Sequence, residues 1–210
     1  YEEQKKPNGL PEAFIIGKKF IKKDNVALIL GDNFFYGQSL TSLLERSSKL
    51  KRGAKVILHK VNKPYLYGIV KLHKNKKIES IIEKPKKFIS DKAITGLYFF
   101  DNKVIKYSEK LKKSNRGEFE ITDLLKAYKK NNKLNYEELG RGAVWLDAGS
   151  IEDFYNTSSF VSTIEKRQGI KIACLEEIAF NYNWISKTNI KESIKFYGNC
   201  DYSIYLKNFI

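Results

Sequence analysis

Five consecutive apolar residues, Val26 to Leu30, are followed directly by Gly31 and Asp32. A continuous apolar run of this length, without alternation of polar residues, is typical of a buried strand in an α/β sheet. Ligands of open α/β sheets bind beyond the carboxyl ends of the strands. The pattern therefore predicts a sheet strand that presents the Asp32 carboxylate at a binding edge.

A second aspartate stands in a similar frame far along the chain, in the segment Val144-Trp145-Leu146-Asp147-Ala148-Gly149. Mg²⁺ in proteins is typically held by one or two carboxylates together with substrate phosphates. If Asp32 and Asp147 meet at one edge, they predict a magnesium site. The alternative is structural: Asp32 caps a helix or turn, and Asp147 caps a helix that begins near Ser150.

Strand-like and helix-like segments alternate through the chain, which favours an α/β sheet in a single large domain. The predicted strands are 25–30, 54–60, 67–72, 77–83, 95–100, 134–139 and 171–174, and the predicted helices are 12–20, 39–52, 119–130 and 151–166. Residues 32–37 are predicted to form a loop. The tail after Glu176 is predicted to be helical and to pack on this body.

The formal net charge of +15 allows two interpretations. A basic surface attracts nucleic acid or polyphosphate, but the lysines are scattered among acids and no nucleic-acid motif is present. We therefore attribute the charge to lysine-rich composition and expect no nucleic-acid partner. No apolar run is long enough for a membrane span, no secretory signal is visible, and the two cysteines suit a reducing cytoplasm without a disulfide.

Several motifs then line up, in order, with one family. They are Gly9-Leu10-Pro11-Glu12-Ala13-Phe14, Leu30-Gly31-Asp32-Asn33-Phe34-Phe35-Tyr36-Gly37, Tyr67-Gly68-Ile69-Val70, Glu83-Lys84-Pro85, Thr95-Gly96-Leu97-Tyr98-Phe99-Phe100-Asp101, Arg116-Gly117-Glu118-Phe119-Glu120-Ile121-Thr122-Asp123, Gly140-Arg141-Gly142, Trp145-Leu146-Asp147-Ala148-Gly149, Glu165-Lys166-Arg167-Gln168-Gly169 and Glu176-Glu177-Ile178-Ala179-Phe180. The chain resembles the bacterial sugar-phosphate nucleotidyltransferases, and within them the glucose-1-phosphate thymidylyltransferases.

This resemblance implies a fold and a reaction. The fold is a Rossmann-like nucleotidyltransferase α/β domain, a mixed sheet flanked by helices, over residues 1–175, with a helical C-terminal extension over residues 176–210. The reaction is the Mg²⁺-dependent transfer of a nucleotidyl group from dTTP to glucose-1-phosphate, which gives dTDP-glucose and pyrophosphate in the cytoplasm. The product would feed deoxysugar and surface-polysaccharide synthesis.

The resemblance also implies site residues. Asp32 and Asp147 correspond to metal ligands, and the nucleotide site corresponds to Gln4, Gly9, Leu10 and Asp32. The sugar-phosphate site corresponds to Tyr67, Gly68, Glu83, Lys84, Ile94, Tyr98 and Arg116. Without the resemblance, residues 7–9 are an ordinary turn, Glu83 and Lys84 an exposed strand end, Ile94 and Tyr98 core residues, and Arg116 part of a charged helix start.

A further site implied by the resemblance is regulatory. Tyr36, Gly37, Gly140, Arg141, Glu177 and Ile178 resemble a second nucleotide-sugar site at subunit contacts, where a dTDP-sugar acts as feedback ligand on a homotetramer. The same residues could instead form a plain subunit interface.

One departure from the family pattern stands out. The family's N-terminal Gly-rich phosphate loop and the catalytic lysine after it are not in this sequence, so no catalytic residue can be assigned. The chain is expected to be N-terminally truncated relative to the family, with an open sheet edge and no turnover by itself. A non-catalytic remnant that binds nucleotide sugar or a partner chain is therefore one alternative, and a related enzyme that uses UTP is another.

Overall fold

The computed structural model describes all 210 residues. The chain forms two compact units, Tyr1–Asp147 and Ala148–Ile210. The domain boundary predicted between residues 175 and 176 falls inside the second unit. All the site residues predicted from the sequence lie in the first unit, except the regulatory candidates Glu177 and Ile178.

The first unit contains eight strands and five α-helices. The strands are β1 (Val26–Ile29), β2 (Asn33–Tyr36), β3 (Ala54–Lys60), β4 (Gly68–Leu72), β5 (Ile78–Glu83), β6 (Lys92–Phe100), β7 (Leu134–Glu138) and β8 (Val144–Asp147). The helices are α1 (Glu12–Ile16), α2 (Lys18–Ile21), α3 (Leu40–Ser48), α4 (Lys103–Ser108) and α5 (Ile121–Lys130).

Six of these strands form one mixed sheet in the order β5-β4-β6-β3-β7, with β1 also paired to β6. Only β3 and β7 run parallel, and the other neighbours are antiparallel. β2 and β8 form a separate antiparallel ribbon. The predicted α/β class with a mixed sheet flanked by helices is confirmed.

The long strand β6 is the centre of this sheet, and every residue from Ala93 to Phe100 is buried. Residues on its two faces belong to two hydrophobic clusters: Ile94, Tyr98 and Phe100 to one, and Leu97 and Phe99 to the other. Because side chains alternate along a strand, helices can cover both faces of the sheet. Strand β6 therefore lies in the core, between the two hydrophobic clusters.

Strand β1 is not the buried strand that its apolar sequence predicts. Its burial alternates, and Ile29 is 59% exposed. The physical reason is that only one face of β1 is packed: Val26 and Leu28 lie against one hydrophobic cluster, whereas Ile29 belongs to neither. Strands β1, β5 and β7 each pair with a single strand, so the sheet has more than one unpaired edge.

Several element predictions were wrong in detail. Residues 32–37 were predicted to be a loop but contain β2, whose partner strand β8 lies more than a hundred residues away. Residues 171–174 were predicted to be a strand but form a turn, since Ala173 has a φ of +53° and Cys174 is the N-cap of the next helix. Helix α4 was not predicted, and the helix predicted at 12–20 is broken at Gly17.

The second unit is helical, as predicted for the C-terminal tail. It contains α6 (Ile151–Gln168), α7 (Leu175–Asn181), α8 (Lys187–Tyr197) and α9 (Asp201–Leu206). Cys174, Ile190 and Leu206 form its buried centre, and both cysteines of the chain are free thiols. None of the helices in the structure combines the length and the apolar character that a membrane span requires.

Candidate functional site

The β2–β8 ribbon brings the two predicted metal ligands together. Its register places Asn33 directly opposite Asp147, and Asp32 is the residue immediately before Asn33. Neither aspartate serves as a helix cap: Asp32 precedes a strand, and the N-cap of α6 is Ser150, whose hydroxyl accepts a bond from the Asp153 amide. Helix capping is therefore wrong for both residues, whereas Asp32 does lie in a turn between Leu30 and Asn33.

Asn33 is a site residue to which the sequence analysis gave no role. Its Oδ1 accepts hydrogen bonds from the backbone N–H of Gly96 (3.0 Å) and from Nε1 of Trp145 (2.6 Å). Its Nδ2 donates to Oδ1 of Asp32 (2.8 Å). One amide thus links the first aspartate to the central strand and to β8. An asparagine beside a predicted ligand was the only signal in the sequence.

Three predicted site carboxylates act electrostatically on the Tyr98 hydroxyl. Burial is the main cause of its raised pKa, and the negative charges of Glu83, Asp147 and Asp32 raise that pKa further. All three carboxylates therefore lie within electrostatic reach of one hydroxyl on β6. The raised pKa keeps the phenol protonated, so it can donate a hydrogen bond to an anionic ligand.

Glu83 ends β5 beside the predicted pocket glycine. A Cβ placed on Gly68 would lie 3.1 Å from Oε2 of Glu83, 3.0 Å from Cγ2 of Thr122 and 3.6 Å from Cδ1 of Ile94. These contacts bring together three of the predicted sugar-phosphate residues. Thr122 adjoins them and was not predicted.

The environment of Glu83 opposes its ionisation. Burial is the main cause of its raised pKa, followed by the negative charge of Glu120, whereas Lys84, Thr122 and Arg116 act in the opposite direction. A carboxyl group held in this way at the end of a strand is a candidate for binding hydroxyl groups of a ligand, because such bonds replace the water that burial removed.

Lys84 has an unusual backbone for its residue type. Its φ is +41°, in the left-handed region that non-glycine residues seldom adopt. The conformation is held by a 3.0 Å hydrogen bond from its backbone N–H to the carbonyl of Tyr67. The Tyr67 ring packs on Trp145 with centroids 5.1 Å apart. Local strain of this kind is common at ligand sites.

Arg116 is paired with acids of its own segment. Its guanidinium lies 3.5 Å from Glu120 and 3.8 Å from Glu118. Glu120 also accepts a 2.7 Å hydrogen bond from the Ser114 hydroxyl. Glu120 therefore pairs with Arg116, and its negative charge also raises the pKa of Glu83.

The segment predicted to read the base docks on the loop before α5. The carbonyl of Asn8 accepts a 2.7 Å bond from the N–H of Phe119, and Nζ of Lys113 donates to Oδ1 of Asn8 at 2.7 Å. Gly9 has a φ of +109°, and a Cβ there would lie 2.2 Å from the Phe119 carbonyl. Only glycine fits this position.

Gln4 and Glu12 form a network that the sequence did not indicate. Nε2 of Gln4 donates to Oε2 of Glu12 at 2.6 Å and to the Gly9 carbonyl at 3.2 Å. Asn8 donates to the other carboxylate oxygen of Glu12 at 2.9 Å. These bonds lower the pKa of Glu12, the Gln4 bond being the largest cause. Leu10, the remaining predicted nucleotide residue, is partly exposed.

Four predicted regulatory residues lie close together in the first unit. Gly37 has a φ of +146°, and a Cβ on it would lie 2.7 Å from Cα of Ala143 and 3.0 Å from the Gly142 carbonyl. Tyr36 pairs with Val144, so Tyr36 and Gly37 adjoin the segment that holds Gly140 and Arg141.

The other two predicted regulatory residues are on α7 of the second unit. Oε2 of Glu177 accepts a 2.6 Å hydrogen bond from the Tyr205 hydroxyl, and Ile178 is 41% exposed. Glu177 thus has a structural partner within its own unit.

The donor set suits a metal that also binds substrate oxygens. No group of three or more His, Cys, Asp or Glu side chains is gathered anywhere in the structure. Asp32 and Asp147 lie at the same end of the β2–β8 ribbon, and their carboxylates would supply the protein share of a Mg²⁺ site that is completed by phosphates and water. They do not match the closed His and Cys sets that hold zinc.

Comparison with known proteins gives a consistent picture. A family model described as nucleotidyl transferase matches residues 1–164. The chain is 44% identical over 206 residues to a glucose-1-phosphate thymidylyltransferase of Neisseria meningitidis serogroup A, covering 98% of this chain and 72% of the relative. The corresponding enzyme of Xanthomonas campestris pv. campestris is 41% identical over 206 residues, covering 98% of this chain and 70% of the relative.

Solved structures agree in fold. A Bacillus anthracis protein assigned as a glucose-1-phosphate thymidylyltransferase, in complex with sucrose, is 37% identical with a TM-score of 0.66 and covers 75% of this chain. This chain spans 62% of that one. A UDP-glucose pyrophosphorylase complexed with UDP-glucose is 22% identical, with a TM-score of 0.67. The match covers 76% of this chain and 64% of the pyrophosphorylase chain, and it shows the same fold.

Proposed function

Since the chain belongs to the nucleotidyl transferase family, we propose that it serves the transfer of a thymidylyl group from dTTP to glucose-1-phosphate, giving dTDP-glucose and pyrophosphate. The observation that carries the proposal is the β2–β8 register, which places Asp147 opposite the residue after Asp32. The charges that raise the pKa of the Tyr98 hydroxyl relate these two residues to Glu83. Glu83 from the candidate sugar pocket and Asp32 and Asp147 from the candidate metal site act on the same hydroxyl. A sugar phosphate and a nucleotide phosphate bound there would be neighbours.

The reaction joins two anions, so charge neutralisation and positioning supply most of the catalysis. A phosphate oxygen of glucose-1-phosphate attacks the α-phosphorus of dTTP. The bond between this phosphorus and the oxygen that bridges it to the β-phosphorus breaks, and pyrophosphate leaves with that oxygen. Asp32 and Asp147 would hold Mg²⁺, which neutralises phosphate charge and orients the displacement when bound. No catalytic side chain beyond these is assigned.

On the sugar side, the residues divide between hydroxyl and phosphate recognition. Glu83 accepts hydrogen bonds from sugar hydroxyls, and the protonated Tyr98 hydroxyl donates. Lys84 and Arg116 supply positive charge for the sugar phosphate, since arginine offers a planar pair of donors and lysine a point charge. Gly68 and Ile94 shape the wall next to Glu83.

On the base side, the orientation of Gln4 favours a thymine or uracil ring. Its amide nitrogen is engaged by Glu12 and Gly9, so its Oε1 oxygen is the atom left to meet the base. An oxygen accepts a bond from the N3–H of thymine or uracil, whereas N3 of cytosine is itself an acceptor. Gln4 alone does not distinguish dTTP from UTP, and the preference for dTTP is supported by the similarity to the thymidylyltransferases.

The wider setting is part of the same proposal and is supported by the family relationship alone. It comprises a cytoplasmic location, a role in deoxysugar and polysaccharide synthesis, a homotetramer, and feedback by a dTDP-sugar at Tyr36, Gly37, Gly140, Arg141, Glu177 and Ile178.

The test is direct binding to this 210-residue chain. Isothermal titration with dTDP-glucose and with glucose-1-phosphate, in Mg²⁺ buffer, should give saturable binding that Glu83→Gln weakens at least fivefold. The matched control is Glu79→Gln on the same strand, whose partner is Lys71 at 2.7 Å; its affinity should equal that of the unchanged chain. The proposal would be refuted if neither dTDP-glucose nor glucose-1-phosphate binds the chain, or if Glu83→Gln and Glu79→Gln bind them with equal affinity.

A further inference from the structure

The amide of Asn33 has only one orientation that its neighbours allow. Its Oδ1 faces two N–H donors, the backbone of Gly96 and the indole of Trp145. A donor in that place would be opposed by both, so the oxygen must occupy it. The Nδ2 group is thereby directed to Oδ1 of Asp32, at 2.8 Å. The Asp32 carboxylate therefore accepts a hydrogen bond from an amide whose orientation is fixed by Gly96 and Trp145.

Asn33 also completes the hydrogen bonding of the central strand. The β1–β6 ladder ends at Ile29 and Leu97, after which the N–H of Leu30 donates to the carbonyl of Gly96 at 2.9 Å. The N–H of Gly96 donates to the Asn33 side chain instead of to a neighbouring strand. The amide is therefore part of the sheet, and it shares the rigidity of β6.

Two neighbours of Asn33 have the residue types that this arrangement needs. A Cβ on Gly96 would lie 2.5 Å from Cγ of Asn33, so any larger residue there would push the amide away. Trp145 is buried and stands two residues before Asp147 on β8, with its ring against Tyr67 of the candidate sugar pocket. Both candidate metal ligands are thus adjacent to one anchored amide.

We propose that Asn33 is a positioning residue for the metal site: anchored by Gly96 and Trp145, its amide holds the Asp32 carboxylate in the geometry that binds a divalent cation together with Asp147. The inference rests on the proposed function, since it presumes that the two aspartates bind the metal. It adds a role for Asn33 and, through it, for Gly96 and Trp145, none of which contacts the metal in this scheme.

The experiment measures Mn²⁺ affinity of the folded chain by electron paramagnetic resonance, with Mn²⁺ alone as the probe. Trp145→Phe removes one anchor of the amide and leaves Asn33 and both aspartates in place. Its expected effect is a Kd about three- to tenfold higher, the scale of one lost hydrogen bond. Asn33→Ala should raise the Kd at least as much. The control is Trp184→Phe, which replaces an exposed tryptophan of the second unit and should leave the Kd unchanged.

A double-substitution cycle separates positioning from a merely structural role. In an Asp32→Asn background, Trp145→Phe should change the Kd no further, because the carboxylate that the amide positions is gone. The Trp145 indole N–H resonance should also shift in Asn33→Ala, which shows directly that the bond is lost.

The outcomes distinguish the two claims. If Asp32→Asn leaves the Kd unchanged, the proposed metal site fails and this inference fails with it. If Asp32→Asn raises the Kd but Trp145→Phe and Asn33→Ala do not, the metal site stands and the positioning role is refuted. If Trp145→Phe raises the Kd equally with and without Asp32, its effect does not pass through that carboxylate and the inference is again refuted.

Discussion

Gln4 donates a 2.6 Å hydrogen bond from its side-chain nitrogen to Oε2 of Glu12, eight residues along the chain. The Gly9 carbonyl takes a second bond from the same nitrogen. The pair fixes the orientation of the Gln4 amide, because its nitrogen is engaged by two acceptors. In the proposed nucleotide site, Glu12 would therefore set which group of Gln4 is offered to the base.

The first prediction follows from this pair. Glu12→Ala frees the Gln4 amide to turn over, so we expect the preference for dTMP over dCMP to fall by roughly three- to tenfold, the scale of a single hydrogen bond. The measurement is the ratio of the two dissociation constants. Glu109→Ala, which removes an exposed carboxylate paired with Lys18, is the control and should keep the ratio. An unchanged ratio in Glu12→Ala would show that Glu12 does not orient Gln4.

The second prediction concerns the wall of the candidate sugar pocket. In Gly68→Ala the new methyl group would lie 3.0 Å from Thr122 and 3.1 Å from the Glu83 carboxylate, so one of them must move. We expect glucose-1-phosphate affinity to fall about tenfold while the fold is retained. The control is Gly142→Ala, where an added Cβ meets nothing within 4 Å. Equal affinity in the two variants would contradict the placement of Gly68 in the pocket.

The third prediction concerns pH and the stability of the fold. The pKa of Glu83 is raised in the folded chain above its value of 4.5 in the unfolded chain, chiefly by burial. The folded state therefore binds this proton more tightly. Its stabilising contribution is present below the unfolded pKa and is lost as pH rises through the higher folded pKa.

At neutral pH, the ionised Glu83 carboxylate destabilises the folded state because it is partly buried, and Glu83→Gln removes this destabilisation. We expect the variant to have a higher Tm than the unchanged chain at pH 7, with the difference disappearing below about pH 4, where Glu83 is protonated in both states. For a chain of this size each kcal/mol corresponds to roughly 2–4 °C, so thermal scans at several pH values suffice. A lower Tm at pH 7 would mean that the ionised carboxylate stabilises the fold instead.

The fourth prediction concerns the packing beneath β6. Tyr128 is fully buried, and its hydroxyl donates a 2.8 Å hydrogen bond to Oδ1 of Asp101, whose other oxygen accepts from the Gly53 N–H. Tyr128→Phe leaves that carboxylate short of one partner, and we expect a loss of about 1–3 kcal/mol in the free energy of unfolding. Urea denaturation measures it. Tyr65→Phe, at an exposed position, should be neutral; equal midpoints for the two variants would rule out this role.

The fifth prediction concerns the second candidate metal ligand. Asp147→Asn removes a charged oxygen ligand, and we expect Mn²⁺, which shares the oxygen preference of Mg²⁺, to bind at least tenfold more weakly. The control is Asp91→Asn, whose carboxylate pairs with Lys60 at 3.5 Å. Water proton relaxation provides the measurement. Similar Mn²⁺ affinities for the two variants would exclude Asp147 as a ligand.

Much of the fold follows from local pattern. Strand β3 was predicted with its observed bounds, and β4, β5 and β6 within three residues, because apolar runs and β-branched residues mark strands locally. Strand β2 was missed because its four residues become a strand only by pairing with β8. The exposure of β1 was missed because an apolar run does not tell whether one or both faces of a strand are covered.

The sequence by itself determined the class of fold, the family and the identity of the charged and polar groups at the candidate site. Those properties depend on residue type and order, which a motif preserves. Only the tertiary structure decided which groups act on one another: that Asn33 is anchored by Gly96 and Trp145, that the charge of Glu120 raises the pKa of Glu83, and that Gln4 is held by Glu12. Hydrogen bonds and charges act over a few ångströms, and residues that distant in sequence reach that range only when the sheet and its loops have formed.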